Sequence, residues 1–126
     1  MSTTVFCKNY QLDDGMIKED GSLFLQEKEI KKEKQVKLWV ESKEQTHHNR
    51  PHIHASFDDR VYSIAIDSSF DLLAPNKEDK YYRFIVKTIF NDTTIQKCRE
   101  YWNKYTDSNM KFAVCNGRYS SQYSAM

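Results

Sequence analysis

The hydrophobic pattern changes its period near the middle of the chain, and this change is the strongest constraint on the fold. Residues 52–67, HIHASFDDRVYSIAID, alternate between two sets of side chains on either side of Asp58 and Asp59. Such alternation is typical of strands that place one face on a core. We therefore predict a β-hairpin over about 52–67 with Asp58 and Asp59 at its turn, and a further strand over 36–42.

After residue 70, apolar side chains recur at the spacing of an α-helix. The pattern predicts two helices, at about 77–90 and about 93–105, with Asn76 and Asp92 as N-caps. Strands followed by helices along the chain indicate an α+β fold, in which an antiparallel β-sheet packs against a C-terminal pair of α-helices. The predicted core-facing residues of the helices are Tyr82, Ile85, Val86, Ile89, Phe90, Ile95, Cys98, Trp102 and Tyr105.

The length of 126 residues is typical of one domain, and we predict a single domain over 1–126. Residues 1–30 contain two Asp-Gly steps that favour turns, and their structure stays open between short strands and an irregular arm. Residues 113–126 are polar and rich in serine, which predicts a flexible C-terminal tail.

Charge and cysteine content exclude several classes of protein. A net charge of +1 does not provide the overall basic field that drives nucleic-acid binding, although it is compatible with a local basic patch. The three cysteines form no CxxC pair, so neither a zinc ribbon nor a redox motif is indicated. No apolar run has the length of a signal peptide or of a membrane span, and we predict a cytoplasmic protein that does not bind membranes.

All four histidines lie between His47 and His54, and this cluster is the feature of the sequence that points to chemistry. His52 and His54 are two residues apart, so a strand places both imidazoles on one face, about 6.5 to 7 Å apart along the backbone. Two such rings can bind a divalent metal ion such as Zn²⁺, and a third ligand with a bound water completes a catalytic site. The predicted metal ligands are His52 and His54, with His48 or His47 as the third ligand and Asp58, Asp59 or Asp67 as a carboxylate ligand.

The same residues have other interpretations. His52 and His54 are also the predicted catalytic residues of a metal-free site, because imidazole titrates near neutral pH and Arg50 beside them can bind a phosphate. The predicted binding residues are Arg50, His48 and Asp58. Alternatively, the two histidines form a polar, solvent-facing strand face, or His52 is a structural residue that is hydrogen-bonded to the backbone.

The segment RPHIHASFDD resembles the Pro-His-x-His strand motif of the small bacterial domain-of-unknown-function family numbered forty-one sixty. The resemblance covers about residues 36–105, although the loop SSFDLLAPNKED is longer than in that family and lacks its glycine. It implies a sheet-plus-helices fold in a small cytoplasmic bacterial protein, often encoded beside a second small gene, and no established activity. The matching positions are Pro51, His52, Ile53 and His54 in the motif, 62–67 in the returning strand, and 82–90 and 95–102 in the helices.

Three functions stay open at this point. The leading hypothesis is a small module of a toxin–antitoxin-like or mobile-element system, which binds a protein or nucleic-acid partner through the face that carries His52 and His54. The alternative is a metal- or histidine-dependent phosphoester hydrolase that uses the same two histidines. The third is a phage- or plasmid-encoded inhibitor of a host defence protein. The residues by themselves do not decide whether the protein is an enzyme.

Overall fold

A five-stranded antiparallel sheet forms the centre of the molecule, and each strand pairs with the next one in the chain. The computed structural model describes residues 2–24, 32–42 and 50–125. In spatial order the strands are β1 (Ser2–Gln11), β2 (Glu33–Glu41), β3 (His52–Phe57), β4 (Arg60–Ala65) and β5 (Leu72–Ala74).

Two helices and a second, smaller sheet follow the central sheet along the chain. Helix α1 (Lys80–Phe84) continues into a π-helical turn (Ile85–Ile89), and α2 (Asp92–Tyr105) comes next. Strands β6 (Met110–Cys115) and β7 (Arg118–Ala125) pair with each other in an antiparallel sheet of their own. The predicted α+β class, with an antiparallel sheet and C-terminal helices, is confirmed.

The predicted hairpin over 52–67 corresponds to β3 and β4, which are joined at Asp58 and Asp59. Asp58 adopts a φ of 53°, in the left-handed region that aspartate tolerates better than most residues. Its carboxylate accepts a hydrogen bond from the Gln35 backbone N–H at 3.2 Å and lies 3.0 Å from the Lys34 ammonium. The side chain at the turn therefore ties the hairpin to β2.

Strand β3 is buried on both faces, whereas its alternating pattern predicts one core face. Ile53 and Phe57, on one face, are completely buried, and His52 on the other face is only 2% exposed. The Phe57 ring packs against Tyr81 at a centroid distance of 5.0 Å, and the His52 ring packs against Trp102 at 5.3 Å. Rings contributed by both helices thus enclose the strand, which its own sequence does not indicate.

The first helix begins later than predicted. Asp79, and not Asn76, is the N-cap of α1, since its carboxylate accepts from the Tyr82 backbone N–H at 2.9 Å. The buried Tyr62 hydroxyl also donates to Asp79, at 2.7 Å, and burial together with this carboxylate raises the pKa of Tyr62. A contact from β4 therefore selects the cap, because Asp79 satisfies both donors at once.

The second helix also has a different cap from the predicted one. Asn91 accepts from the Thr94 backbone N–H at 2.9 Å, and Asp92 is the first helical residue. Among the predicted core-facing residues of α2, Ile95, Cys98 and Trp102 are buried. The prediction that Tyr105 faces the core is wrong. Tyr105 is the last residue of α2 and is 44% exposed, and its ring packs against Tyr101 of the same helix at 5.1 Å.

The C-terminal segment forms a hairpin instead of the predicted flexible tail. Asn116 and Gly117 both have positive φ, 52° and 77°, as a tight turn between strands requires. Two side-chain amides of α2 hold the hairpin. Gln96 binds the backbone N–H and carbonyl of Tyr119, and Asn103 binds those of Phe112 in the same manner. Each amide pairs with the backbone as a residue of a neighbouring strand would, and the buried Phe112 ring adds apolar packing, so the segment is ordered although it is mostly polar.

Candidate functional site

The two predicted histidines lie in a row of rings that crosses β2, β3 and α2. His54 stacks on Trp39 at a centroid distance of 5.7 Å, and His52 meets His54 edge to face at 5.2 Å. Trp102 completes this ring row on the other side of His52. Register explains the first contact, because Trp39 and His54 are directly paired across β2 and β3.

The His52 ring has a fixed orientation. Its Nδ1 lies 2.9 Å from the Arg50 carbonyl oxygen, and a carbonyl only accepts, so Nδ1 carries the proton and donates. With 2% of the residue exposed, the ring is enclosed by protein. This is the backbone hydrogen bond expected if His52 has a structural role. His54 is partly buried, with Nδ1 3.5 Å from the Ser63 hydroxyl.

The predicted metal ligands are brought together only in part. His52 and His54 are neighbours, but Asp58 follows the opposite end of β3 from His52, and Asp67 binds Arg50. Within residues 2–24, 32–42 and 50–125, no group of three or more His, Cys, Asp or Glu side chains could hold a metal ion. His47 and His48 lie outside these residues, so metal binding by the histidine cluster stays a prediction.

Arg50, the predicted phosphate-binding residue, is engaged by acidic side chains of its own chain. Its Nη2 lies 2.6 Å from Asp67 and from the Ser69 hydroxyl, and its Nη1 lies 3.0 Å from Asp71. Partial burial acts to raise the pKa of Asp67, but hydrogen bonds from Ser69 and Arg50 outweigh it and lower that pKa. A phosphate would have to displace two carboxylates, and the network instead ties the start of β3 to the loop after β4.

Acid should weaken this network in a measurable way. Because the folded-state pKa of Asp67 is lowered, its contribution to stability is present above the unfolded pKa of about 4 and is lost as the pH falls through the folded value. We expect wild type to be more stable than Asp67→Asn at pH 7, and this difference to shrink as the pH falls below about 4. Urea denaturation across that pH range measures the difference.

Asp59→Asn is the matched control, since Asp59 is an exposed aspartate in the β3–β4 turn. Its stability should follow that of wild type across the same pH range. A difference between wild type and Asp67→Asn that stays constant from pH 7 to pH 3 would show that the Arg50–Asp67 pair does not stabilise the fold.

Arg99 is a buried charged residue that sequence reasoning did not identify. It is 7% exposed, its Nε donates to the Ile66 carbonyl at 2.8 Å, and its guanidinium lies 5.6 Å from the Phe112 ring centroid. Burial lowers the pKa of this arginine. No local pattern marks it, because its partners come from the end of β4 and from the C-terminal hairpin.

The first strand presents a second candidate surface. Strand β1 is ten residues long and forms the edge of the central sheet. Six of its residues have exposed side chains, and no strand within the described ranges pairs with its outer side. The exposed residues are Ser2, Thr4, Cys7, Lys8, Asn9 and Gln11.

A cavity of about 310 Å³, here called the edge groove, lies between this strand and the start of α2. Its walls are largely apolar, and it carries one charged side chain. A separate, more open cleft of about 590 Å³ is lined by Asn9, Glu33, Gln35, Asp58 and Asp59. The edge groove is lined by Val5, Phe6, Asn91, Thr93, Thr94 and Lys97.

Among the described residues, no helix has both the length and the apolar character needed to cross a lipid bilayer. Comparison of the chain with protein-family models, with curated proteins and with solved structures found no match.

Proposed function

We propose that the protein is a small partner-binding module, which takes an extended segment of another protein as an additional strand on β1. The observation that carries the proposal is the position of β1, a ten-residue strand at the edge of the sheet with the edge groove beside it. As in the leading hypothesis from the sequence, the protein binds a protein partner. The proposed binding surface is β1, and not the face that carries His52 and His54.

The backbone of an edge strand is itself a binding surface. In an antiparallel pair, alternate residues direct their N–H and C=O groups away from the partner strand, so β1 presents unmatched donors and acceptors on its outer side. Extended peptides bind such edges through main-chain hydrogen bonds, while adjacent pockets select side chains. The edge groove supplies such a pocket next to β1.

The ring row supports this choice of surface. His52 is enclosed between His54 and Trp102, and the guanidinium of Arg50 is bound by Asp67 and Asp71. These side chains already make contacts that stabilise the fold. The hydrolase and the host-defence inhibitor stay alternatives. The cytoplasmic location, the toxin–antitoxin-like or mobile-element setting and the resemblance to the forty-one sixty family stay predictions.

Nuclear magnetic resonance tests the proposal with synthetic peptides of extended, threonine-rich sequence. Titrated to millimolar concentration against ¹⁵N-labelled protein, at least one peptide should shift the amide signals of residues 2–11 and of the first turn of α2. The same peptide with alternate backbone nitrogens methylated should lose binding, because it lacks the donors for a strand ladder. Shifts confined to other surfaces, or equal binding of the methylated peptide, would contradict strand addition.

A further inference from the structure

We infer that the segment bound at β1 carries an apolar side chain and, two residues away, a carboxylate. The inference rests on the proposed function and specifies the chemistry of its ligand. Three observations support it: the face of the sheet on which Phe6 and Lys8 project, the residues that line the edge groove, and the positive charges beside the groove.

Register shows which β1 side chains share a face of the sheet. Phe6 pairs with Leu38 and Lys8 pairs with Val36, and both partners are completely buried. Directly paired residues point to the same face, so Phe6 and Lys8 both project on the face that carries Leu38 and Val36. An added strand alternates its side chains in the same way, and those on this side would lie beside Phe6 and Lys8.

The edge groove fits one apolar side chain of such a strand. Val5 and Phe6 form the wall on β1, and the opposite wall comes from the first turns of α2. A volume of about 310 Å³ is at the lower end of the range for small-ligand pockets, about 300 to 1,000 Å³. The residue opposite Phe6 is therefore expected to be aliphatic or aromatic.

Two lysines make the surroundings of the groove positive. Lys97 lines the groove, and Lys8 follows Phe6 on the same side of β1. Each ammonium lies over a ring, Lys8 at 4.8 Å from the centroid of Tyr10 and Lys97 at 5.5 Å from that of Tyr101. Neither forms an ion pair with any residue in the described ranges, so both can receive a carboxylate of the partner.

The nearest acidic side chain of α2 does not cancel this charge. Asp92 is bound by Arg118 through two contacts of 2.6 and 3.2 Å, and this guanidinium holds the pKa of Asp92 below its usual value. A second copy of β1 would not supply a carboxylate either, because its sequence, STTVFCKNYQ, contains no Asp or Glu and adds another Lys8. Charge complementarity therefore favours an acidic partner over a second copy of this chain.

The spacing of the ligand follows from the period of the strand. Phe6 and Lys8 are two residues apart on one face, so the partner residues beside them are also two apart. The bound segment has the pattern apolar–any–acidic, with the middle side chain on the opposite face of the sheet.

Four fluorescent seven-residue peptides test this pattern by fluorescence anisotropy. The reference is Thr-Thr-Leu-Thr-Glu-Thr-Thr, and the variants replace Glu by Lys, replace Leu by Ala, or place Leu and Glu next to each other. The last variant has the same composition and charge as the reference. We expect the reference to bind about 5-fold more tightly than the Lys variant, and more tightly than the other two.

Charge reversal on the protein provides a second measurement. Lys8→Glu and Lys97→Glu should each remove most of the preference for Glu over Lys, and the double variant should invert it, so that the peptide with Lys binds more tightly than the peptide with Glu. Lys104→Glu is the matched control, an exposed lysine near the other end of α2, and it should leave the preference unchanged.

The outcomes separate the inference from the proposed function. If all four peptides bind with equal affinity and shift the signals of residues 2–11, strand addition stands and the pattern is wrong. If none of them shifts these signals at millimolar concentration, both are wrong. A dimer in size-exclusion chromatography with light scattering, with β1 amides protected from hydrogen exchange in the dimer alone, would assign the edge to a second copy and overturn the inference.

Discussion

Trp102→Ala is expected to lower the free energy of unfolding by about 3 to 5 kcal/mol. The Trp102 side chain is 1% exposed, so its removal leaves a large cavity. The indole N–H also donates to the Met110 carbonyl at 2.7 Å, and the ring packs against His52 at 5.3 Å. One substitution therefore loosens the second helix, the start of β6 and the histidine end of β3 together. Urea denaturation followed by far-ultraviolet circular dichroism measures the change.

Two further variants determine what the tryptophan contributes. Trp102→Phe keeps most of the apolar area but leaves the Met110 carbonyl without its donor, which should cost about 1 to 3 kcal/mol. Tyr105→Ala lies one turn further along the same helix, and because Tyr105 is 44% exposed it should change stability by less than about 0.5 kcal/mol. Equal losses for Trp102→Ala and Tyr105→Ala would show that Trp102 does not belong to the core.

Gly21→Ala is expected to destabilise the protein by about 3 kcal/mol, because two costs combine at this position. Gly21 has a φ of +87°, a conformation that residues with a Cβ rarely adopt. A Cβ at this position would lie 2.4 Å from the Arg83 carbonyl carbon and 2.6 Å from the Phe84 nitrogen. These are backbone atoms of α1, so the neighbour cannot avoid the clash by a change of rotamer. Thermal and urea denaturation measure the loss.

Gly117→Ala separates the two costs. Gly117 also has a positive φ, +77°, but no atom lies within 4 Å of the position of its Cβ. It should therefore incur only the conformational cost, about 1 to 2 kcal/mol. If both alanine variants lose the same stability, the segment around Gly21 moves away from α1 at no cost, and the close packing of these two elements does not contribute to folding.

The parts of the fold that could be predicted from the sequence are those that depend on neighbouring residues. The hairpin of β3 and β4 with its turn at Asp58 follows from period-two alternation, and α2 follows from helical spacing. Cys98, a predicted core residue, is fully buried, and burial raises the pKa of its thiol to about 12. A period is a local property of the chain, so it can be read before any tertiary contact is known.

The C-terminal hairpin was missed although a local signal for it exists. Asn116-Gly117 is a common turn pair for two antiparallel strands, and it lies near the start of the segment predicted to be flexible. Polarity by itself predicts disorder, whereas Gln96 and Asn103 stabilise the hairpin by binding the backbones of Tyr119 and Phe112. These contacts span 23 and 9 residues of the chain, and no single segment shows them.

The sequence by itself determined that His52 and His54 share a face, because the period of a strand is two residues wherever the strand lies. Only the tertiary structure decided what that face does. Trp39 of β2 and Trp102 of α2 pack against the two imidazoles. Asp67, in the loop after β4, binds the Arg50 guanidinium. Likewise, residues 2–11 could be a strand in any sheet, and only the strand order places them at the edge beside α2. Periodicity is set by covalent geometry within a few residues, whereas burial, charge pairing and an open edge depend on which distant segments pack against one another.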